Sequence, residues 1–148
     1  MLDDLDIQIL KTLQVSGRTK RNALAEQVSL AVPSVSERLK KLEDSKIIEG
    51  YFAKINKQAF GLDIMAFILV IMDSSKHYKD LIKHVDKHKS ILECHSVLGE
   101  GSHLVKVLVK NTEALEKLLS EIQTWTGVIG TKTTYVLSTI KETTAINI

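Results

Sequence analysis

Residues 18–51, RTKRNALAEQVSLAVPSVSERLKKLEDSKIIEGY, decide the fold. The spacing predicts a short helix over about 21–28, with Leu24, Ala25 and Val28 facing inward. Ser29-Leu30-Ala31 reads as a tight turn. A second helix follows over about 32–45. Pro33 fits only in a first turn, where its missing N–H costs nothing. Val35, Leu39 and Leu42 recur at i, i+4 and i+7 and should pack inward. That leaves Ser34, Ser36, Glu37, Arg38, Lys40 and Lys41 on the flanks and outer face. Ile47-Ile48 then re-enters the core, Gly50 permits a turn, and Tyr51–Asn56 is expected to be a short strand. Two helices around a tight turn, followed by a strand, form the pattern of a winged helix-turn-helix. That module lays its second helix in the DNA major groove.

The same logic extends towards the N-terminus. A helix over about 3–14 is expected, with Asp3 as its cap and Asp6 at the capping-box position in place of Glu. Leu2, Leu5, Ile9 and Leu13 share one face, with Leu10 beside them, and Ser16-Gly17 ends the helix. The formal net charge of the whole chain is only +2, too little to imply nucleic acid by itself. Its distribution says more. Arg18, Lys20, Arg21, Arg38, Lys40 and Lys41 face only Glu26 and Glu37 within residues 18–41, so the positive field sits on the predicted reading unit.

Beyond Lys57–Gly61 the pattern changes. Leu62–Met72 is apolar, Tyr78–His88 amphipathic, Ile91–Leu98 and Leu104–Val109 extended, Thr112–Trp125 amphipathic and Val128–Ile140 extended. Asn111 or Thr112 is available to cap the last helix, and Gly127 to close it. This order, β-α-β-β-α-β, is a split βαβ or ferredoxin-like arrangement. The fold class is therefore α+β. Residues 1–50 form the winged helix-turn-helix, 51–61 a wing strand and linker, and 62–148 a second domain. Ile64, Ala66, Ile68 and Val70 alternate with Met65, Phe67, Leu69 and Ile71, so the first strand is apolar on both faces. Helices cover one face, and no segment remains for the other. A second copy packed sheet-on-sheet, a homodimer, is expected.

No apolar run approaches the roughly 18 residues of a bilayer span, and no membrane partner is expected. MLDDLD at the start lacks the basic-then-apolar layout of a signal peptide. Cys94 is the sole cysteine of the 148 residues, which suits a reducing compartment. A cytoplasmic location is expected.

LDDLDIQILKTLQ, ERLKKLEDSKIIEGYFAKIN, ECHSVLGEGSHLVKV and GVIGTKTTYVL occur in this order over nearly the whole chain. In this the chain resembles the Lrp/AsnC family of feast/famine transcriptional regulators. The resemblance implies double-stranded DNA as a partner and a homodimer, often assembled into a ring-shaped octamer of four dimers. It also implies that 62–148 is an ACT-like effector-binding and oligomerisation domain, with an amino-acid effector bound between subunits near the hairpin of the second and third strands. No cofactor is expected. Two departures stand out. Ala31 occupies the recognition-helix cap, where the family usually has Ser. The hairpin commonly reads Gly-Asp-x-Asp-Tyr, and here it reads Gly99-Glu100-Gly101-Ser102-His103.

The plain account of Arg38, Lys40 and Lys41 is a solvated helix face; on the second helix of a helix-turn-helix, phosphate and base contacts are favoured. Ser34, Ser36 and Glu37 lie nearest the helix start, where base edges are reached. Glu37 also has the spacing for an i, i+4 pair with Lys41. Arg18, Lys20 and Arg21 are expected to position phosphates. In the hairpin, Gly99 and Gly101 serve either turn chemistry or close approach of a ligand, with Glu100 for an ammonium group. Ser102, His103, Thr131 and Thr133 complete the candidate effector set, the hydroxyls as donors. His84, His88, Cys94 and His95 invite a zinc reading, but strand neighbours point to opposite faces, and no metal is expected. Cys94 is placed on a face with Leu92 and Leu98 as a small hydrophobe, and Trp125 in the core or an interface. Neither a phosphate-binding glycine loop nor a Ser/His/Asp grouping supports an enzyme. The alternative is an ACT-type small-molecule-binding or assembly protein with a vestigial helix-turn-helix.

Overall fold

The Asp3 carboxylate accepts the backbone N–H of Asp6 at 2.9 Å, and Asp6 accepts that of Asp3 at 3.2 Å. This reciprocal capping box starts α1, Asp4–Val15. The computed structural model describes residues 2–148. α2 follows over Arg21–Gln27 and α3 over Val32–Asp44. The turn between them places Ser29 in the left-handed region, at φ 53°, and the Leu30 N–H closes onto the Ala25 carbonyl at 3.0 Å. Ile9, Leu24, Ala25, Val28, Val35 and Leu39 form the core of this unit, with Leu5, Leu13, Leu30 and Ile48 packed on it. Apart from Leu30 and Ile48, which lie outside the helices, these are positions that the helical period assigns inward; Leu2, expected on the same stripe as Leu5 and Ile9, is 41% exposed.

Two further expectations need correction. Of Ile47-Ile48, Ile48 packs against the core while Ile47 is 45% exposed. Both backbone N–H groups bond to the Leu42 carbonyl, and side chains of consecutive residues diverge, so one of the two faces inward. The expected strand over Tyr51–Asn56 is not formed: residues 51–56 have no ladder partner among the described residues, and Tyr51, Phe52 and Ile55 are exposed. A strand exists only where a neighbouring backbone accepts its hydrogen bonds, and this chain supplies none there.

The chain divides into two compact units. One runs to Lys54 and includes Lys141–Ile148; the other is Ile55–Ile140. In the first, the Gln14 amide holds the returning tail by two bonds to Ile146, at 3.1 Å to its carbonyl and 2.6 Å from its N–H. In the second, β1 (Ile64–Met72), α4 (Tyr78–Lys87), β2 (Ile91–Ser96), β3 (His103–Val109), α5 (Thr112–Thr124) and β4 (Val128–Tyr135) follow in the expected order. Asn111 caps α5 by accepting the Ala114 N–H at 2.9 Å.

The sheet order is β2-β3-β1-β4, with every pairing antiparallel. One face carries Ala66, Ile68, Val70, Val105 and Val107, all fully buried with Leu81 of α4 and Ile122 of α5. On the other face lie Phe67, Leu69, Ile71, Leu104 and Leu108, each half-buried. Cys94 lies opposite Val105 on the helix-covered face. Contrary to expectation, it does not share that face with Leu92 and Leu98, which are exposed. The register shift between Ile91 and Glu93 breaks the strict alternation from which that face was inferred.

Ala31 is the N-cap residue of α3, extended at φ −70° and ψ 147°, and makes no side-chain cap bond. A hydroxyl there would meet an orphan N–H of the first turn. Ala31→Ser is therefore expected to stabilise the protein by about 0.5–1 kcal/mol, read as a raised denaturation midpoint at unchanged slope; an unchanged or lowered midpoint would contradict the capping argument.

Candidate nucleic-acid interface and effector cleft

Burial of Val35, Leu39 and Leu42 fixes the rotation of α3. Ser34, Glu37, Lys40 and Lys41 are consequently exposed, and Ser36 and Arg38 half-buried. Lys41 Nζ lies 3.2 Å from Glu37 Oε1, the i, i+4 pair that the spacing allows. Both side chains are well exposed, so the pair is worth little and gives way readily. Arg18, Lys20 and Arg21 are exposed around the start of α2. Lys20 is that helix's N-cap residue and contributes no side-chain cap bond.

Arg38 behaves differently from its basic neighbours. One guanidinium nitrogen donates to Asp3 Oδ2 and to Asp6 Oδ1, each at 2.7 Å. Asp3 is held below the usual carboxylate range, first by the Asp6 N–H and then by Arg38. Arg38 itself is pushed further up by the two carboxylates. The cap of α1 was legible in the sequence. This tie between residues more than thirty apart was not, because no local pattern encodes it.

In the second unit the β2–β3 hairpin closes with Val97 N–H on the Ser102 carbonyl at 2.9 Å, and Ser102 N–H on the Val70 carbonyl at 3.0 Å. A Cβ on Gly101 would stand 2.5 Å from Leu69 Cγ and 2.9 Å from the Val70 carbonyl oxygen. Only glycine lets the hairpin backbone lie this close to β1. Gly99 takes φ 123°, outside the range of ordinary L residues. A cleft of about 280 Å³ opens here, lined among others by Ile71, Met72, Tyr78, Leu98, Glu100 and Ser102.

Glu100 forms an ion pair with Lys132, which holds its carboxyl below the ordinary value. Lys132 was not singled out from the sequence; a partner 32 residues away leaves no local signal. Thr131 and Thr133 pair with Val70 and Ile68, so they lie on the face of β4 opposite to Lys132. Thr131 accepts the Gln123 amide at 3.4 Å. Thr133 is exposed. His103 shares the cross-strand row of Val70 and Thr131 and is 4% exposed. Its Nδ1 lies 2.8 Å from the Ser102 hydroxyl, and Tyr78 packs on it edge-to-face at 4.7 Å. Burial pushes its imidazole below the ordinary value.

The other histidines have partners as well. His84 stacks on buried Trp125 at 4.8 Å, nearly parallel. His88 Nε2 lies 3.3 Å from Glu121, and His95 Nε2 3.1 Å from Glu93. Among the described residues no three His, Cys, Asp or Glu side chains are placed to hold a metal ion. Burial raises the Cys94 thiol, which disfavours its thiolate. Among the described residues no helix is long and apolar enough to cross a membrane.

Residues 2–49 match a family model described as winged helix-turn-helix DNA-binding, and residues 65–146 one described as the Lrp/AsnC ligand binding domain. The HTH-type transcriptional regulator FL11 of Pyrococcus abyssi is 35% identical over 147 residues, covering 99% of this chain and 97% of the relative. LrpA of Mycobacterium tuberculosis is 33% identical, covering 93% and 91%. Among solved structures, a transcriptional regulator of Neisseria meningitidis in complex with L-Met aligns at TM-score 0.94 and 31% identity, covering 99% of this chain and 97% of that one. AsnC of E. coli aligns at TM-score 0.91 and 27% identity, covering 98% of each.

The burial of His103 generates a pH dependence. Its folded value lies below the unfolded 6.5, so on acidification the unfolded chain takes up the proton first. The stability it contributes is present above the unfolded value and is lost as pH falls from there towards the folded value. Between about pH 7 and pH 5, the thermal midpoint of the wild type is expected to fall more than that of His103→Phe. Parallel falls in the two proteins would contradict a buried neutral imidazole.

Proposed function

The chain belongs to the Lrp/AsnC family of transcriptional regulators, and on that premise we propose how its two units divide the work between DNA, effector and a second copy. It is an effector-responsive, DNA-binding regulator, in a family of regulators rather than enzymes. The observation that carries the DNA reading is the rotation of α3. Its apolar stripe is buried, which leaves Ser34, Ser36 and Glu37 at the N-terminal end and Lys40 and Lys41 further along on the accessible side. The first three are placed for base edges and the lysines for phosphates. Arg18, Lys20 and Arg21 supply further phosphate contacts that set position without reading sequence.

The effector is an amino acid or a related small molecule. The ligand-binding family match and the L-Met complex of the Neisseria relative support this class. The cleft at Gly99–His103 is our candidate for its place. There Glu100 suits an ammonium group, and backbone brought close by Gly99 and Gly101 suits a carboxylate. Ser102 offers a hydroxyl at the same hairpin; His103 and Thr131 share the row of Val70, and Thr133 the next row, on the helix-covered face and outside the lining of the cleft. A second copy of the chain covers Phe67, Leu69, Ile71, Leu104 and Leu108, which share their face with the Glu93–Lys106 pair and Lys132, because apolar groups gathered on an uncovered sheet face are costly in water.

The test of function is selection of genomic fragments by the full protein at about 150 mM salt with excess competitor DNA, with and without an amino-acid mixture. A small retained set, altered by the mixture, is expected. No selective retention in either condition would point instead to a small-molecule-binding protein with a vestigial helix-turn-helix. On the retained fragment, Lys41→Ala should weaken binding similarly across sequences and lower the log–log salt slope by about one; a loss confined to one base position would contradict a phosphate role. The wild type should sediment as at least a dimer at micromolar concentration, and Leu69→Glu as a 16.5 kDa monomer. A monomeric wild type would remove the sheet-on-sheet interface.

A further inference from the structure

We infer that Arg38, though it sits among the basic residues of α3, is a positioning residue that seats the recognition helix against α1 rather than a phosphate contact. This rests on the DNA-binding reading of α3 and deepens it. Both N–H bonds of one guanidinium nitrogen are already used, on Asp3 and on Asp6. These are short, charge-assisted bonds. They sit at a half-buried site: the Asp6 side chain is 13% exposed and that of Arg38 26%. To reach a phosphate, Arg38 would have to leave two carboxylates, one of them largely removed from water, without their cation.

The acceptors matter as much as the donor. Asp3 and Asp6 are the two halves of the α1 capping box, so their carboxylates are held by backbone bonds independently of Arg38. A rigid helix end on α1 therefore presents two acceptors at set positions, and α3 is pinned to them one turn after Ser34. The same two carboxylates line one open groove with Ser34, Glu37 and Lys41. Unneutralised, they would place negative charge beside the groove-reading face. Arg38 offsets half of that charge, and Lys40 and Lys41 remain on the exposed side. The bases that Ser34, Ser36 and Glu37 reach then depend on a contact that does not itself touch DNA.

The experiment compares full-length wild type, Arg38→Gln, Asp6→Asn and the double variant, with Lys41→Ala as the phosphate control. Each is measured, well below its thermal midpoint, for affinity to the fragment retained in the selection and to a mixed-sequence duplex, and for salt slope on the latter. For Arg38→Gln the ratio of specific to non-specific affinity should fall about tenfold, the scale of one lost base contact, at a wild-type salt slope. Asp6→Asn should lower the same ratio despite removing a negative charge. The double variant should be no worse than the poorer single one, since both remove one contact. A slope lowered by about one in Arg38→Gln, as for Lys41→Ala, overturns the inference. So does Asp6→Asn strengthening both DNAs in equal proportion, and so does a lowered midpoint with an unchanged ratio, which marks a merely structural tie. If Arg38→Gln does not fold, Asp6→Asn decides by the same ratio. Absence of selective retention by the wild type is a separate failure, of the DNA reading itself.

Discussion

Nine consecutive residues of β1, Ile64–Met72, carry no polar side chain, and the strand stands between β3 and β4 in the sheet. An apolar central strand has to be shielded on both sides. α4 and α5 shield one side through Leu81, Leu118 and Ile122, which meet Ala66, Ile68, Val70, Val105 and Val107 in one core. The other side retains Phe67, Leu69 and Ile71 beside Leu104 and Leu108. The sheet that builds the candidate effector cleft is thus also the sheet on which we propose that a second copy packs. Glu100 and Lys132 meet where the β2–β3 hairpin approaches β4, so ligand and assembly are expected to act on the same strands.

The first unit is governed by a smaller constraint. Seven residues of α2 and thirteen of α3 are too short to be stable as isolated helices. They persist because Leu24, Ala25, Val28, Val35 and Leu39 close on Ile9. Packing sets the rotation of α3 about its axis. Interdigitation of these side chains also bears on its position along α1, and the directional bonds of Arg38 to Asp3 and Asp6 fix that position further. A reading helix needs both: rotation selects which side chains face the groove, and position selects which bases they meet.

The departures from the family pattern at Ala31 and at the hairpin have different weight in the structure. Ala31 leaves a helix start without a side-chain cap, yet α3 begins at Val32 as the pattern implies, because burial of its stripe outweighs one cap. At the hairpin, the backbone course is preserved by Gly101 against Leu69 and Val70. The residue that follows Ser102 is a buried histidine packed on Tyr78. The fold tolerates that change, and it places a titratable group in the row of Val70, beneath the hairpin.

Short-range physics made much of this protein legible from the sequence alone. The capping box at Asp3 and Asp6, Pro33 in a first turn, the stripe Val35–Leu39–Leu42, the amphipathic pattern of Thr112–Trp125, whose Leu115, Leu118 and Ile122 are buried in α5, and the double-faced β1 are all set by residues within one or two turns or pleats of each other. The element order and the accessible face of α3 follow from them. Other features lay beyond local pattern. Arg38 pairs with acids 32 and 35 residues away, Glu100 with Lys132, and the tail at Ile146 with Gln14. The register shift in β2 put Cys94 apart from Leu92, and Tyr51–Asn56, strand-like in composition, found no ladder to join. Periodicity states which face of an element is apolar. Only the packing of whole elements decides which charged groups are brought within hydrogen-bond reach, and whether a strand has a neighbour to complete it.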